Sequence, residues 1–129
     1  MLLSVSDLAI KASSLSLVDG VCLDVSAGQI VALVGESGSG KSLTALSIMG
    51  LLGEGLIVSN GSIKFDGVDL VQATQQDLRS LRGDDLAMIF QEPVSSLNPL
   101  LSVGEQVAES LITHRQASPA QAFLEAVEM

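Results

Sequence analysis

The chain begins with short stretches in which apolar and polar side chains alternate, and it ends with stretches in which apolar side chains recur every three or four positions. The first pattern predicts strands that bury one face, and the second predicts amphipathic helices. We expect strands at 2–10, 21–26, 62–65 and 68–70, a connection at 55–60, and helices at 43–50, 75–81, 103–114 and 119–129. This order indicates an α/β protein whose first part carries antiparallel strands.

Two further runs are almost entirely apolar, and we expect each to be a buried strand. The first is Gln29–Val34 and the second is Leu86–Phe90. Short continuous apolar runs are typical of strands that are covered on both faces of a sheet. Since two tightly joined strands precede the first run, we expect a mixed sheet and not a plain doubly wound one.

A glycine-rich segment joins the first apolar run to the helix expected after it. It has the complete pattern G-x-x-x-x-G-K-[ST], formed by Gly35, Glu36, Ser37, Gly38, Ser39, Gly40, Lys41 and Ser42. Glycines let successive N–H groups converge on one centre, and a helix N-terminus adds its own N–H groups and positive dipole end. We predict that Gly35–Leu43 binds nucleotide phosphates, with Lys41 on the outer phosphates and Ser42 coordinating Mg²⁺. A flexible Gly/Ser turn is the alternative, which the flanking strand and helix disfavour.

The composition limits the partners and the location. A formal net charge of −9 disfavours nonspecific binding to nucleic acid or to an anionic membrane surface, but it is compatible with a local nucleotide site. Cys22 is the only cysteine, so neither an internal disulfide nor a cysteine-based zinc site is expected. The first residues lack a basic region, and every apolar window is too short or too interrupted to span a membrane. We therefore expect a cytoplasmic chain.

A second group of motifs lies downstream of the glycine-rich segment. Gln91 follows Lys41 by fifty positions and stands within Met88-Ile89-Phe90-Gln91-Glu92-Pro93, which is followed by Ser96-Leu97-Asn98-Pro99 and Val103-Gly104-Glu105-Gln106. With these segments the chain resembles the ATP-binding subunits of ATP-binding cassette (ABC) transporters, and among them the group that imports dipeptides, oligopeptides or nickel. The resemblance covers essentially all 129 residues.

This resemblance implies a fold and a set of partners. It implies a RecA-like P-loop NTPase core with an antiparallel β subdomain over 1–90, and the Q-loop with the start of a helical subdomain over 91–129. Gln91 would contact Mg²⁺ and the surroundings of the catalytic water, a role that suits a neutral amide. Glu92–Pro99 would face the membrane-spanning subunits at the inner face of the cell membrane. A second ATP-binding subunit would complete the site, with ATP and Mg²⁺ as cofactors.

The sequence also departs from the family pattern. In the family an aromatic residue upstream of the P-loop stacks on adenine, a contact typically worth roughly 1–3 kcal/mol per base. The aromatic residues here all lie downstream: Phe65, Phe90 and Phe123. Adenine selectivity is therefore not implied by residues 1–34.

Three catalytic features of the family are not found within residues 1–129. They are the Leu-Ser-Gly-Gly-Gln-like motif, the apolar strand that ends in Asp-Glu, and the switch histidine. His114 lies on a predicted helix and does not fill the last role. We assign no catalytic residue and expect negligible ATP hydrolysis by this chain alone. Because the Asp-Glu strand would lie beside the P-loop strand, an open sheet edge and poor solubility are also expected.

Three functions remain open from the sequence. The chain resembles part of the ATP-binding subunit of a peptide or nickel importer. It is also compatible with a nucleotide-binding chain that does not hydrolyse, or with a soluble ABC ATPase outside transport. The Ser96–Pro99 segment favours transport.

Overall fold

A computed structural model describes residues 1–91, 97–115 and 117–128. It divides into two compact units, 1–79 and 80–129. The elements are β1 (Leu3–Ala12), β2 (Leu15–Val25), α1 (Lys41–Ile48), β3 (Leu56–Phe65), β4 (Val68–Asp69), α2 (Gln75–Leu81), α3 (Val103–Arg115) and α4 (Pro119–Glu128). The strands and α1 belong to the first unit, and α3 and α4 belong to the second. The expected boundary between 90 and 91 stays a prediction.

The four strands form one antiparallel sheet in the order β2-β1-β3-β4. The strands expected at 2–10 and 21–26 are confirmed, and both are longer than the alternation indicated. The connection expected at 55–60 is wrong, because residues 56–60 belong to β3 and lie along the end of β1. The backbone pairing with β1 outweighs the weak strand preference of Ser59, Asn60 and Gly61.

The core of the first unit lies on one face of this sheet. Val5, Leu8 and Ile10 of β1 and Ile63 of β3 are almost completely buried. The spacing from Val5 to Leu8 breaks strict alternation, and the pairing register of β1 shifts there. Asp7 has a φ of 47° at this shift, so the extra residue returns Leu8 to the buried face.

Two local signals predicted their elements well. Asp66 and Gly67 have φ of 45° and 84°, which is the type I′ turn favoured by an Asp-Gly pair between two antiparallel strands. The helix expected at 75–81 is confirmed as α2. Its N-terminus carries a capping box, because the Asp77 N–H donates to Thr74 Oγ1 at 3.2 Å and the Thr74 N–H donates to Asp77 Oδ2 at 3.0 Å.

The two apolar runs do not form strands in the described residues, so the prediction of buried strands at Gln29–Val34 and Leu86–Phe90 is wrong for this chain. The side chains of Ile30 and Ile89 are 96% and 93% exposed. Leu86 makes only an isolated bridge. A strand exists only where a neighbour accepts its backbone hydrogen bonds, and the described sheet contains β1 to β4 alone. The apolar composition indicates a preference for burial but does not supply that neighbour.

The second unit is built from α3 and α4, which confirm the helices expected at 103–114 and 119–129 within one or two residues. Their contact buries two small side chains, Ala108 and Ala122, together with Leu111. The ring of His114 lies against Gly83, where a Cβ would come 2.4 Å from Nε2. Through this contact, the turn that follows α2 packs against α3.

None of the helices in the described part of the chain is both long enough and apolar enough to cross a membrane.

Candidate nucleotide-phosphate site

The glycine-rich loop needs its glycines for two different reasons, backbone torsion and close approach. Gly38 has a φ of 82° and Gly40 a φ of 88°, in the left-handed region that other residues adopt at a cost. Gly35 has no such torsion, but a Cβ there would lie 2.6 Å from Ser39 Oγ. The Ser39 N–H donates to the carbonyl oxygen of Glu36 at 3.2 Å, which closes the turn. The loop therefore curls tightly over Gly35–Gly40.

Gly40 also attaches the loop to the sheet. A Cβ at this position would lie 2.7 Å from Val18 Cγ2 and 3.4 Å from the carbonyl oxygen of Leu17. Gly40 is the N-cap of α1, and its carbonyl oxygen accepts the Thr44 N–H at 2.8 Å. A glycine N-cap offers no side-chain oxygen to the first-turn N–H groups, which are therefore suited to an external anion.

Lys41 reaches back across the loop. Its Nζ donates to the carbonyl oxygens of Gly35 at 2.7 Å and Glu36 at 2.6 Å, and more distantly to Ser39 Oγ at 3.3 Å. These bonds hold the positive charge of Lys41 beside the loop. A bound phosphate oxygen would replace the longest of the three contacts, the one to Ser39 Oγ. Lys41 thus ties the loop together from its C-terminal side.

The predicted phosphate contacts Gly35–Leu43 are brought together in the first unit. A small cavity of about 160 Å³ is lined by Gly38–Leu43. Ser42 is exposed at the second position of α1. The lining supplies backbone N–H groups, one ammonium and the hydroxyls of Ser39 and Ser42. The N–H groups and the ammonium suit an anion, and a hydroxyl oxygen suits a hard cation bound with it, because Mg²⁺ prefers oxygen ligands. The residues therefore fit the expected nucleotide and Mg²⁺, and the contacts themselves stay predictions.

Gln91 lies in the second unit, where it is exposed. Its assignment to Mg²⁺ stays a prediction. Of the segment Glu92–Pro99 predicted to face membrane subunits, 92–96 lie outside the described residues.

The described end of that segment is organised by Gln106, whose role the sequence did not indicate. Gln106 Oε1 accepts the Asn98 N–H at 2.8 Å. Its Nε2 donates to the carbonyl oxygens of Asn98 at 3.0 Å and Leu101 at 3.1 Å. Asn98 Oδ1 in turn accepts the Leu100 N–H at 3.0 Å. One side-chain amide therefore holds both ends of the turn that leads into α3.

The neighbouring residues complete this loop. Ser102 and Glu105 form a capping box, with the Ser102 N–H donating to Glu105 Oε2 at 2.8 Å and the Glu105 N–H donating to Ser102 Oγ at 3.2 Å. Gly104 lies under the ring of Phe123, where a Cβ would come 3.2 Å from a ring carbon. The spacing S-x-x-E was the signal that could have predicted the capping box from sequence.

Comparison with known proteins gives a consistent picture. The family profile described as "ABC transporter" matches residues 18–129. The oligopeptide transport ATP-binding protein AppD of Bacillus subtilis (strain 168) is 49% identical over 120 residues, covering 92% of this chain and 37% of that protein. The oligopeptide transport ATP-binding protein OppD of Escherichia coli (strain K12) is 41% identical over 132 residues, covering 99% of this chain and 39% of that protein. The chain thus spans less than half the length of the relatives it matches.

A solved structure has the same fold. It is the dimeric, post-hydrolysis state of the ATP-binding cassette MJ0796 bound to ADP and Pi, with a TM-score of 0.82 and 25% sequence identity. The match covers 98% of this chain and 54% of that one. The expected α/β fold of an ABC ATPase, with an antiparallel sheet beside a P-loop, is confirmed. The chain belongs to the ABC transporter family.

Proposed function

We propose that this chain forms the phosphate-binding part of an ATP-binding subunit that drives peptide import. The observation that carries the proposal is the loop at Gly35–Leu43, in which Lys41 and the first turn of α1 line one small cavity and Lys41 Nζ is held against the loop carbonyls. The relatives are named as oligopeptide and dipeptide transport proteins. They favour peptides over nickel as the cargo, and a role in transport over a role outside transport.

Different groups of the described residues would bind different parts of a triphosphate. The N–H groups of Gly38–Leu43 and the positive end of α1 bind phosphate oxygens, and Lys41 adds a full charge. Ser42 Oγ would hold Mg²⁺, and the ion would neutralise part of the phosphate charge. Gln91 would contribute an amide oxygen to the same ion. Catalysis in such sites depends mainly on positioning and electrostatics, and this chain would supply the groups that position the phosphates.

The partners form the second part of the proposal. We infer that Glu92–Pro99 contacts membrane-spanning subunits, which would place the chain at the inner face of the cell membrane. A second ATP-binding subunit would complete the nucleotide site, and the dimeric MJ0796 structure supports this. We expect the 129-residue chain to bind ATP without turning it over.

Calorimetry tests the binding. The 129-residue chain, with its folded state checked by circular dichroism, is titrated with ATP in the presence of Mg²⁺ and again in the presence of EDTA. We expect binding in both titrations and tighter binding with Mg²⁺. Absence of binding by the folded chain would contradict the proposal.

A turnover assay tests the second statement. The same preparation is incubated with ATP and Mg²⁺, and phosphate release is compared with that of Lys41→Ala. We expect equal, background rates. Release by the unchanged chain that Lys41→Ala abolishes would show that the chain hydrolyses ATP alone.

A further inference from the structure

The helix that follows the phosphate loop buries two hydroxyl side chains. Thr44 and Ser47 are the buried residues of α1, at 2% and 5% exposure. A buried hydroxyl costs free energy unless it is hydrogen-bonded, and a valine or an alanine would occupy such a position without that cost. The partners of these two hydroxyls therefore indicate what each of them contributes.

The hydroxyl of Thr44 bonds back to the loop. Its Oγ1 donates to the carbonyl oxygen of Gly40 at 3.0 Å, and the Thr44 N–H donates to the same oxygen at 2.8 Å. Two donors of one residue thus hold the Gly40 carbonyl. The hydroxyl of Ser47 differs, because it donates to the carbonyl oxygen of Thr44 at 2.7 Å, within the helix.

The carbonyl of Gly40 belongs to the same peptide unit as the N–H of Lys41. Lys41 is the first residue of α1, and the first N–H groups of a helix have no intrahelical acceptor. A hydrogen bond accepted by the carbonyl polarises the planar peptide unit and strengthens the N–H at its other end. The Thr44 hydroxyl therefore acts, through the backbone, on a donor of a residue that lines the cavity.

We propose that Thr44 is a positioning residue for the phosphate loop. Its hydroxyl orients and polarises the peptide unit between Gly40 and Lys41, so that the Lys41 N–H is a stronger donor to a phosphate oxygen. Thr44 does this from the buried side of α1 and does not bind phosphate itself. The inference rests on the proposed phosphate site at Gly35–Leu43, and it adds a residue that lies outside the glycine-rich pattern.

Variants at two matched positions of α1 test the proposal. Thr44→Val replaces the hydroxyl with a methyl group of similar size and leaves the N–H bond to Gly40 in place. Thr44→Ser keeps the hydroxyl and removes only the methyl group. Ser47→Ala removes the other buried hydroxyl, whose bond does not reach the loop. If Thr44→Val does not fold, Thr44→Ala removes the same hydroxyl and carries the same expectation.

Calorimetry in Mg²⁺ compares these variants with the unchanged 129-residue chain, after circular dichroism has shown that each is folded. We expect Thr44→Val to weaken ATP and inorganic tripolyphosphate alike, by about threefold, because one donor among several loses part of its strength. Thr44→Ser and Ser47→Ala should each stay within about 1.5-fold of the unchanged chain for both ligands.

An NMR spectrum of the ligand-free chain gives a readout that a loss of stability alone would not move. Without the hydroxyl bond to the Gly40 carbonyl, the amide nitrogen resonance of Lys41 should shift upfield in Thr44→Val, because the peptide unit is less polarised. Ser47→Ala should leave this resonance in place, even where the two variants lower the free energy of unfolding equally.

Three results would overturn the inference. Unchanged affinities in a folded Thr44→Val would show that the hydroxyl has no part in phosphate binding. Equal weakening by Ser47→Ala would assign the effect to the helix as a whole. A Thr44→Ser variant as weak as Thr44→Val would assign it to packing of the methyl group.

The unchanged chain separates this inference from the proposed function. If it is folded and binds neither ATP nor tripolyphosphate, the phosphate site is removed and the proposed function with it. If it binds both ligands and Thr44→Val binds them equally well, the phosphate site stands and only the role of Thr44 is removed.

Discussion

Two loops of this chain are built by opposite means. The loop at 35–40 is shaped by its backbone, with Gly38 and Gly40 at positive φ and a close approach at Gly35. The loop at 97–102 is shaped by side chains, because Gln106 holds its carbonyl and N–H groups from the following helix. The first loop therefore needs particular torsions, and the second needs particular hydrogen-bonding groups.

The difference determines what each loop presents to a partner. In the first loop five of the six residues are glycine or serine, so the backbone N–H groups remain suited to phosphate oxygens. In the second loop side chains already bond several backbone groups, and the exposed side chains include leucines. Leu100 is 89% exposed and Leu101 is 44% exposed. A backbone-shaped loop suits a small anion, whereas a loop shaped by side chains suits a protein surface.

Replacing the glycines of the first loop should give the largest effect. Gly40→Ala combines a left-handed torsion with a Cβ 2.7 Å from Val18 Cγ2, whereas Gly38→Ala has the torsion and open space. We expect Gly40→Ala to lower the free energy of unfolding by about 2–5 kcal/mol and Gly38→Ala by about 1–2 kcal/mol. Urea denaturation measures both.

A double variant separates the two causes. The new Cβ of Gly40→Ala meets Val18 Cγ2, an atom that Val18→Ala removes. The double variant should therefore lose less stability than the sum of the two single losses. The same Val18→Ala change should add independently to Gly38→Ala. Equal costs for the two glycine variants would show that the contact with β2 plays no part in holding the loop.

Removing the lysine should give the next largest effect. Lys41→Ala deletes a charge-assisted contact to phosphate and the two bonds to the loop carbonyls. We expect MgATP affinity to fall by roughly 30-fold or more, since hydrogen bonds to charged groups are typically worth about 1.5–3 kcal/mol each. Lys64→Ala removes the same charge from an exposed strand position and is the control in calorimetry. Similar losses in both variants would mean that overall charge, and not the loop, attracts the nucleotide.

The first loop could be predicted from sequence because its interactions are local. Every contact that shapes it joins residues within six positions, except the packing on β2. The same is true of α2 and of the Asp66-Gly67 turn, whose signals lie within three residues. Short-range patterns therefore predicted the shape of this loop without knowledge of the fold.

The lack of strands at 29–34 and 86–90 could not be predicted in this way. Their apolar residues favour burial, but a strand depends on a partner far away in sequence. The error at 55–60 is the reverse, because a connection was expected there and a strand is present. Leu56 pairs with Ala12, which is more than forty residues away, and this pairing extends β3. The role of Gln106 was also missed, because the amide is one of several polar residues at the start of α3 and only its distances to Asn98 distinguish it.

Removing the amide tests the second loop. Gln106→Ala deletes the bonds to Asn98 and Leu101, and we expect the free energy of unfolding of the second unit to fall by about 1–3 kcal/mol. The turn at 97–102 should then be cut faster in limited proteolysis, with the sites read by mass spectrometry. Gln76→Ala, on an exposed position of α2, is the matched control. Unchanged cleavage at 97–102 would show that the loop keeps its shape without the amide.

The smallest effect is expected from the capping carboxylates. The hydroxyl of Ser102, and then its N–H group, hold the pKa of Glu105 below its usual value. Because this pKa is lower in the folded than in the unfolded chain, the cap stabilises the fold above the usual carboxyl range and is lost as the pH falls below about 4. Ser102→Ala should raise the pKa of Glu105 in an NMR titration and flatten the acid dependence of stability. Thr74 holds the pKa of Asp77 down in the same way in the other unit, so Ser102→Ala should leave Asp77 unchanged. A shift at both carboxylates would mean that a general charge effect, and not the local hydroxyl, sets these pKa values.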